Sequence, residues 1–273
     1  MILVRATTLT ETTLALADEL AAASGQDVAF ILDGRNPVTV ATSRAMVMLT
    51  EEACLALGLY CPPDFAWRCG DYCIYLARQR FPQAAHLWLI EHDIRIAGGR
   101  PESFFETFEG QAQIDFLACN YRRAAADWDW YFNASGRDVQ TFRCNFGIVR
   151  LSARAVDRLL AKRVVQGKVW QRRKLFPNDE GFVATTLSND DFLCADFNGF
   201  GQIFYDGETM SLHLPVRGET FAPTTPTPMI HHPILWGADY ERGNASRAAK
   251  PKLGASAALK KRVLQQLNSA SKW

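Results

Sequence analysis

Apolar residues along this chain fall into two patterns. Some form short unbroken runs, and others recur every three to four positions. Residues 2–6 (ILVRA) are of the first kind and predict a short strand. Residues 10–23 follow with Leu14, Leu16, Ala17, Leu20 and Ala21 at near-helical spacing, and Gly25 ends the stretch. Residues 27–33 (DVAFILD) predict a second buried strand, with Gly34 making the turn after it. Strand, helix and strand in about thirty residues is the length of a βαβ unit. The stretch 86–98, HLWLIEHDIRIAG, has the strongest pattern. Leu87 to Ile90 reads as a strand buried on both faces, and Glu91, His92 and Asp93 then break the run abruptly.

Between and after these strands lie capping signals. Thr50 predicts a helix start, with Glu51 and Glu52 in its first turn. Residues 70–81 predict a helix leading through Pro82 into the central strand. Pro101 opens another that ends near Gly110, and residues 114–119 read as a strand. Residues 141–151 (TFRCNFGIVRL) predict a strand interrupted at Asn145 and Gly147, where glycine signals a bulge or a close approach to the backbone. Ser152 is placed to cap one helix, and Asn178 another running to about Leu187. Residues 192–213 read as short, glycine-punctuated strands, and 221–228 as a proline-rich loop leading to His231, His232 and Pro233. Strands and helices alternating early, with short strands later, predict an α/β sheet plus an appended region.

Composition is that of an ordinary soluble globular protein of 273 residues, 48% apolar and 22% charged. Seven cysteines, an odd number without a Cys-x-x-Cys pair, suit reduced thiols in a cytoplasmic protein. Zinc held by Cys61, Cys69 and Cys73 is the alternative, at a spacing that matches no common pattern. Neither a signal peptide nor a membrane span is expected. The net charge of +1 conceals an asymmetry: from residue 242 onward there are eight Lys or Arg and no acid. This divides the chain into a body, 1–240, and a basic tail, 241–273, that is expected to be partly disordered. A stripe of Leu259, Val263 and Leu267 suggests a small amphipathic helix in that tail, able to touch an anionic membrane surface. No nucleic-acid partner is expected.

Acids at the carboxyl end of a buried strand sit at the ligand crevice of an α/β sheet. Glu91 and Asp93, one residue apart, suit a divalent metal that carries a phosphate. Asp33, ending the second strand, can hydrogen-bond the ribose or base of a nucleotide. Trp128, Trp130 and Tyr131 form an aromatic cluster on which a sugar ring can stack.

The order of these signals resembles the GT-A class of nucleotide-sugar glycosyltransferases, over roughly residues 2–236. Glu91-His92-Asp93 occupies the place of that class's Asp-x-Asp element, with Glu where the pattern normally has Asp. Asn145-Phe146-Gly147, with Arg150 and Ser152 behind, is similar to its acceptor-side strand. Pro177-Asn178-Asp179-Glu180-Gly181-Phe182 looks like the Asp-Glu helix start of core-2 branching enzymes, in which the Glu is the catalytic base. His231-His232-Pro233 is similar to the late histidine that completes the metal site in many of the class. Arg68, Gly70 and Asp71 resemble its donor-contacting helix start.

The resemblance implies a Rossmann-like mixed sheet flanked by helices. It implies a sugar moved from a nucleotide-sugar donor to a hydroxyl of a glycan or other acceptor, with inversion. Manganese or magnesium would lie on Asp93, with Glu91 acting directly or through water, and on His231 or His232. Glu180, beside Asp179, would be the base, its pKa raised by burial against the helix end that lowers it. Core-2 enzymes use basic side chains without metal, and Arg172, Arg173 or Lys174 would then take that part. Two other readings stand beside this one: a nucleotidyltransferase, and a non-catalytic carbohydrate-binding or scaffold protein on the same fold.

Overall fold

The unbroken apolar runs become the strands of one sheet. In the computed structural model residues 1–248 are described, apart from Pro37, Thr39, Arg137, Asp138, Leu212 and His213. The basic residues from 249 onward, with the helix expected at 257–267, lie outside the described residues. β1 (Ile2–Ala6) and β2 (Val28–Asp33) pair in parallel through α1 (Glu11–Ser24), which is the expected βαβ unit. Thr10 Oγ1 starts α1 by accepting the Thr13 N–H at 3.2 Å. Gly25 stops it at φ 64°, a left-handed conformation that glycine adopts without a Cβ clash. β3 (Met46–Leu49) was not anticipated; it is a four-residue edge strand, half exposed and too short to show a period. α2 (Glu51–Ala56), α3 (Phe65–Arg68) and α4 (Asp71–Arg80) return the chain to β4 (His86–Glu91).

β4 pairs in parallel with β1 on the side away from β2. The chain therefore leaves β1 one way and comes back on the other. The gap between the carboxyl ends of β1 and β4 is the switch point at which open α/β sheets bind ligands. Arg5 and Glu91 are register partners there.

Next come β5 (Arg95–Ala97), α5 (Pro101–Glu109), β6 (Phe116–Arg123), α6 (Tyr131–Ala134) and β7 (Phe142–Ser152). They are followed by α7 (Ala153–Lys168), α8 (Trp170–Lys174), α9 (Asp179–Asn189) and β8 (Cys194–Asp196). The sheet has seven strands in the order β3-β2-β1-β4-β7-β6-β8, with β7 antiparallel to both neighbours. This is the expected α/β arrangement, a mixed sheet flanked by helices. Because β7 runs against β4, its first half carries Asn145 and Gly147 to the carboxyl end of β4. The interruption expected there is a bulge: from Ala118↔Val149 to Cys119↔Asn145, β7 advances four residues while β6 advances one.

Among the described residues of 192–213, β8 is the one strand of the sheet. The apolar residues after it serve packing instead, with Phe197 and Phe204 buried against α5. β9 (Val216–Arg217), β10 (Met229–His231), β11 (Ile234–Leu235) and α10 (Gly237–Ala248) are the last elements of the described residues, and β10 pairs with β5. The expected boundary at 240 falls inside α10.

Strand alternation sends Leu3, Ile31, Leu89 and Val149 to one layer, under α4, α7 and α9. Val4, Phe30, Trp88 and Ile90 go to the other, under α1 and α5. There Trp88 meets Phe104, Phe105, Phe108 and Phe197 at ring distances of 5.5 to 6.0 Å. Burying each such ring stabilises the fold by roughly 1.5–3 kcal/mol.

Candidate active site

The carboxyl ends of β1, β2 and β4 border a crevice of about 240 Å³ lined by Arg5, Asp33, Arg35, Trp67, Glu91 and Asp93, among others. β4 gives way to a turn closed by the Ile94 N–H, which donates to the Glu91 carbonyl at 3.0 Å. The Ile234 N–H donates to the Asp93 carbonyl at 2.8 Å, lashing this turn to the segment that holds the cis peptide His232-Pro233. Residues distant in sequence are thereby gathered: one ligand atom each from Glu91, Asp93 and His232 lies within 4.8 Å of the others.

His232 Nε2 is 3.5 Å from Asp93 Oδ2, and Nδ1 donates to the Ser211 carbonyl at 3.1 Å. With Nδ1 engaged, Nε2 is the ring nitrogen that faces the carboxylates, where it holds a proton toward Asp93 or, once neutral, offers a lone pair to a cation. Outer hydrogen bonds of this kind orient metal-binding imidazoles. Asp93 Oδ1 is buried with no hydrogen-bond partner. Two carboxylates, one of them with an unsatisfied buried oxygen, and an imidazole fit a magnesium- or manganese-like cation. Burial opposes both charges, but each partner prevails over it. Asp93 is held below the usual carboxyl range and His232 above the usual imidazole value.

The two histidines divide sharply. Neighbouring residues of a strand face opposite ways. His231 accordingly turns from the cluster and packs edge-on against Phe221 at 4.9 Å, where burial lowers its pKa. Gly147 belongs to the cluster, since a Cβ there would lie 3.4 Å from Glu91 Oε2 and 3.9 Å from His232 Cδ2. Glycine keeps the space between them open.

Arg5, which the sequence reading missed, occupies the floor. Its Nη1 donates to Glu91 Oε1 and its Nη2 to the Ala66 carbonyl, each at 2.7 Å. Burial opposes its charge, yet the surrounding acids, Glu91 foremost, raise its pKa above the ordinary value. The only hint in sequence was a cation closing an apolar strand.

The start of α9 lies close to Arg5, since a Cβ on Gly70 would be 2.5 Å from both Arg5 Nη1 and Asp179 Oδ2. Asn178 Oδ1 caps the helix by accepting the Gly181 N–H at 3.1 Å. Asp179 turns inward and accepts the N–H groups of Gly70 and Glu180, each at 2.8 Å, with burial pushing its pKa well up. It braces α9 against the start of α4 and presents no free oxygen to the crevice side by side with Glu180. Glu180 is half-buried, and Asn178 Nδ2 donates to its Oε2 at 3.2 Å. Burial pushes Glu180 up to about 7, against the Asn178 hydrogen bond and the charge of Arg143, with Glu91 adding to the rise. A carboxyl of that pKa can exchange a proton near neutrality.

The remaining candidates are committed elsewhere. Asp71 lies fully buried in a two-point ion pair with Arg163, at 2.7 and 3.0 Å, and accepts from Tyr75 at 2.7 Å. Both its oxygens are spent on Arg163 in the interior. Arg68 grips Asp64 through Nε and Nη2, and lies over Trp130 at 5.0 Å. Asp33 lines the crevice with both oxygens on Arg35. Asn145 is buried, its Oδ1 without a partner. Arg173 turns to the Gly167 carbonyl, 2.6 Å away. Trp67, also missed, is 66% exposed at the crevice edge and 6.0 Å from Trp130, so one aromatic face remains open for stacking. Cys61, Cys69 and Cys73 do not converge on a metal site among the described residues.

No family model matches this chain, and no curated protein does. Similar solved structures are found. One is a crystal structure of LgtC, a galactosyltransferase, in complex with donor and acceptor sugar analogues. It is 10% identical, covers 92% of this chain and 98% of its own, and has a TM-score of 0.46. An active-site mutant of LgtC gives the same identity and coverage with a TM-score of 0.47. A glycosyltransferase involved in glycosylation of the major capsid of PBCV-1 is 12% identical over 89% of this chain and 98% of its own, with a TM-score of 0.43. Each is a likeness in the course of the chain only.

Proposed function

We propose that this protein is a glycosyltransferase that moves a sugar from a nucleotide-sugar donor to an acceptor hydroxyl, with inversion. The observation that carries the reading is the cluster of Glu91, Asp93 and His232 at the sheet's switch point, with Glu180 near enough to feel the charge of Glu91. The donor diphosphate belongs at the crevice between β1 and β4. Asp93 and His232, with the free oxygen of Glu91, would hold a divalent cation. Such an ion supplies the positive charge that stabilises a leaving diphosphate. Arg5 holds Glu91 in place and keeps positive charge at the crevice floor. Arg35 and Trp67 border the same crevice and suit the ribose and base.

Glu180 takes the proton of the acceptor hydroxyl as its oxygen bonds to the anomeric carbon. The bond from that carbon to the diphosphate breaks on the opposite face, and its electron pair leaves with the nucleoside diphosphate. A base with a pKa of about 7 is half ionised near neutral pH, and still basic enough to accept a proton in the transition state. The test is a panel of nucleotide sugars assayed for released nucleoside diphosphate with Glu180→Gln. Turnover should fall about 100-fold or more while nucleotide binding is kept. Near-normal turnover removes Glu180 from the role.

A further inference from the structure

The rim formed by β6 and β7 carries an electrostatic cost. Arg122 and Arg143 are register partners across the antiparallel ladder, and like charges set opposite each other destabilise a sheet. Arg143 Nε is buried without a hydrogen-bond partner. Arg122 is exposed and makes one long hydrogen bond, 3.4 Å, to Asn120 Oδ1. Burial first, then the charge of Arg122, lowers the pKa of Arg143; Glu180 and Asp127 act in the opposite sense without forming an ion pair with it.

The rim is also aromatic. The Arg143 guanidinium lies over Trp128 at 5.2 Å. Trp128 abuts the start of α9, where a Cβ on Gly181 would be 3.1 Å from its ring. Trp130 stands between Arg68 and Trp67, at 5.0 and 6.0 Å. A cation and a ring face thus lie beside Glu180.

We propose that Arg122 and Arg143 bind the acidic group of an anionic sugar acceptor, so that the enzyme's substrate class is a glycan bearing carboxylate or phosphate. This rests on the reading of Glu180 as the acceptor's base. An anionic oxygen accepting from both guanidiniums replaces their repulsion with charge-assisted hydrogen bonds. The sugar ring lies against the tryptophans. No bond is made or broken at the rim; it orients the hydroxyl toward Glu180.

The test titrates the protein with methyl glucuronide, a phosphorylated glucose and neutral methyl glucoside, read by tryptophan fluorescence at low salt. A parallel titration uses a nucleoside diphosphate with manganese. At least one acidic sugar should bind 10-fold or more tighter than the glucoside, and which one identifies the group. Arg143→Met and Arg122→Gln should each weaken that sugar roughly 10-fold or more, the scale of one hydrogen bond to a charged group. Nucleotide binding should be unchanged in both, which also reports that they fold. Equal binding of acidic and neutral sugars, or an acidic sugar indifferent to Arg143→Met, overturns the inference. If the acidic sugar binds as expected and no nucleotide does, the rim stands and the transferase reading falls. Nucleotide binding without acidic-sugar binding does the reverse.

Discussion

Glu180 sets the pH behaviour of the site. Its carboxyl is raised from 4.5 to about 7 on folding, so the folded protein binds that proton more tightly than the unfolded chain. Stability therefore falls as pH rises from about 4.5 through 7, by up to about 3 kcal/mol, and stays lower above. Glu180→Gln should raise the melting temperature at pH 8 and leave it unchanged at pH 4, measured by thermal denaturation. The same residue should give turnover an ascending limb with an apparent pKa near 7 that the variant lacks. An unchanged melting temperature at both pH values would mean that Glu180 is not destabilised by its site. At the metal cluster the two histidines should separate. His232→Ala should weaken manganese binding roughly 10- to 100-fold, going by the size of metal-shell effects. His231→Ala should be nearly silent, because its ring packs on Phe221 instead. Equal losses in a manganese titration of the two variants would contradict that division.

The carboxylates were legible from sequence because strand ends and helix starts are written locally. Glu91 and Asp93 follow an apolar run, and Glu180 follows the cap Asn178. The choice of His232 over His231 was not legible, since it depends on how β10 lies against β5. Arg5 escaped for the same reason: its meaning comes from pairing with Glu91 in a strand far along the chain. Asp71 misled because its local setting, an acid in the first turn of a helix, gives no sign of Arg163 arriving from α7.

Elements are tied to one another through that last pair. Arg163 and Asp71 are 0% and 1% exposed and join α7 to α4, while Arg163 also donates to the Pro177 carbonyl just before α9. Its guanidinium lies 3.7 Å from the centre of the Phe182 ring in α9 itself. Removing one partner leaves a buried charge uncompensated, which costs on the order of 3–5 kcal/mol. Asp71→Asn and Arg163→Met should each lose about that much in urea denaturation, and the double variant less than the sum of the two. Additive losses would mean that the two side chains act independently. The capping signals at Thr50, Ser152 and Asn178 were read correctly, since each involves atoms within three residues. The bulge in β7 was signalled by Gly147 as one of two alternatives, but its register is a property of two strands together; the edge strand β3 was missed because it is too short to show a period.

For the whole molecule, the order β3-β2-β1-β4 fixes where a ligand goes before any side chain is considered. The body carries a net charge of −7 over residues 1–241, with a basic segment after it. Among the described residues no helix is long and apolar enough to cross a membrane. A peripheral contact through the basic segment is a proposal at this scale: deleting residues 242–273 should abolish sedimentation with anionic vesicles. Equal sedimentation by both forms would end it.

The most direct test of the site is a calorimetric titration of uridine and guanosine diphosphates, with manganese and with chelator. It should be run on the unmodified protein and on Asp93→Ala. A nucleotide held through a cation at Glu91, Asp93 and His232 binds with manganese, loses that affinity in chelator, and gains nothing from manganese in Asp93→Ala. Full affinity in chelator, unaltered by Asp93→Ala, would contradict the account and leave the diphosphate to basic side chains alone.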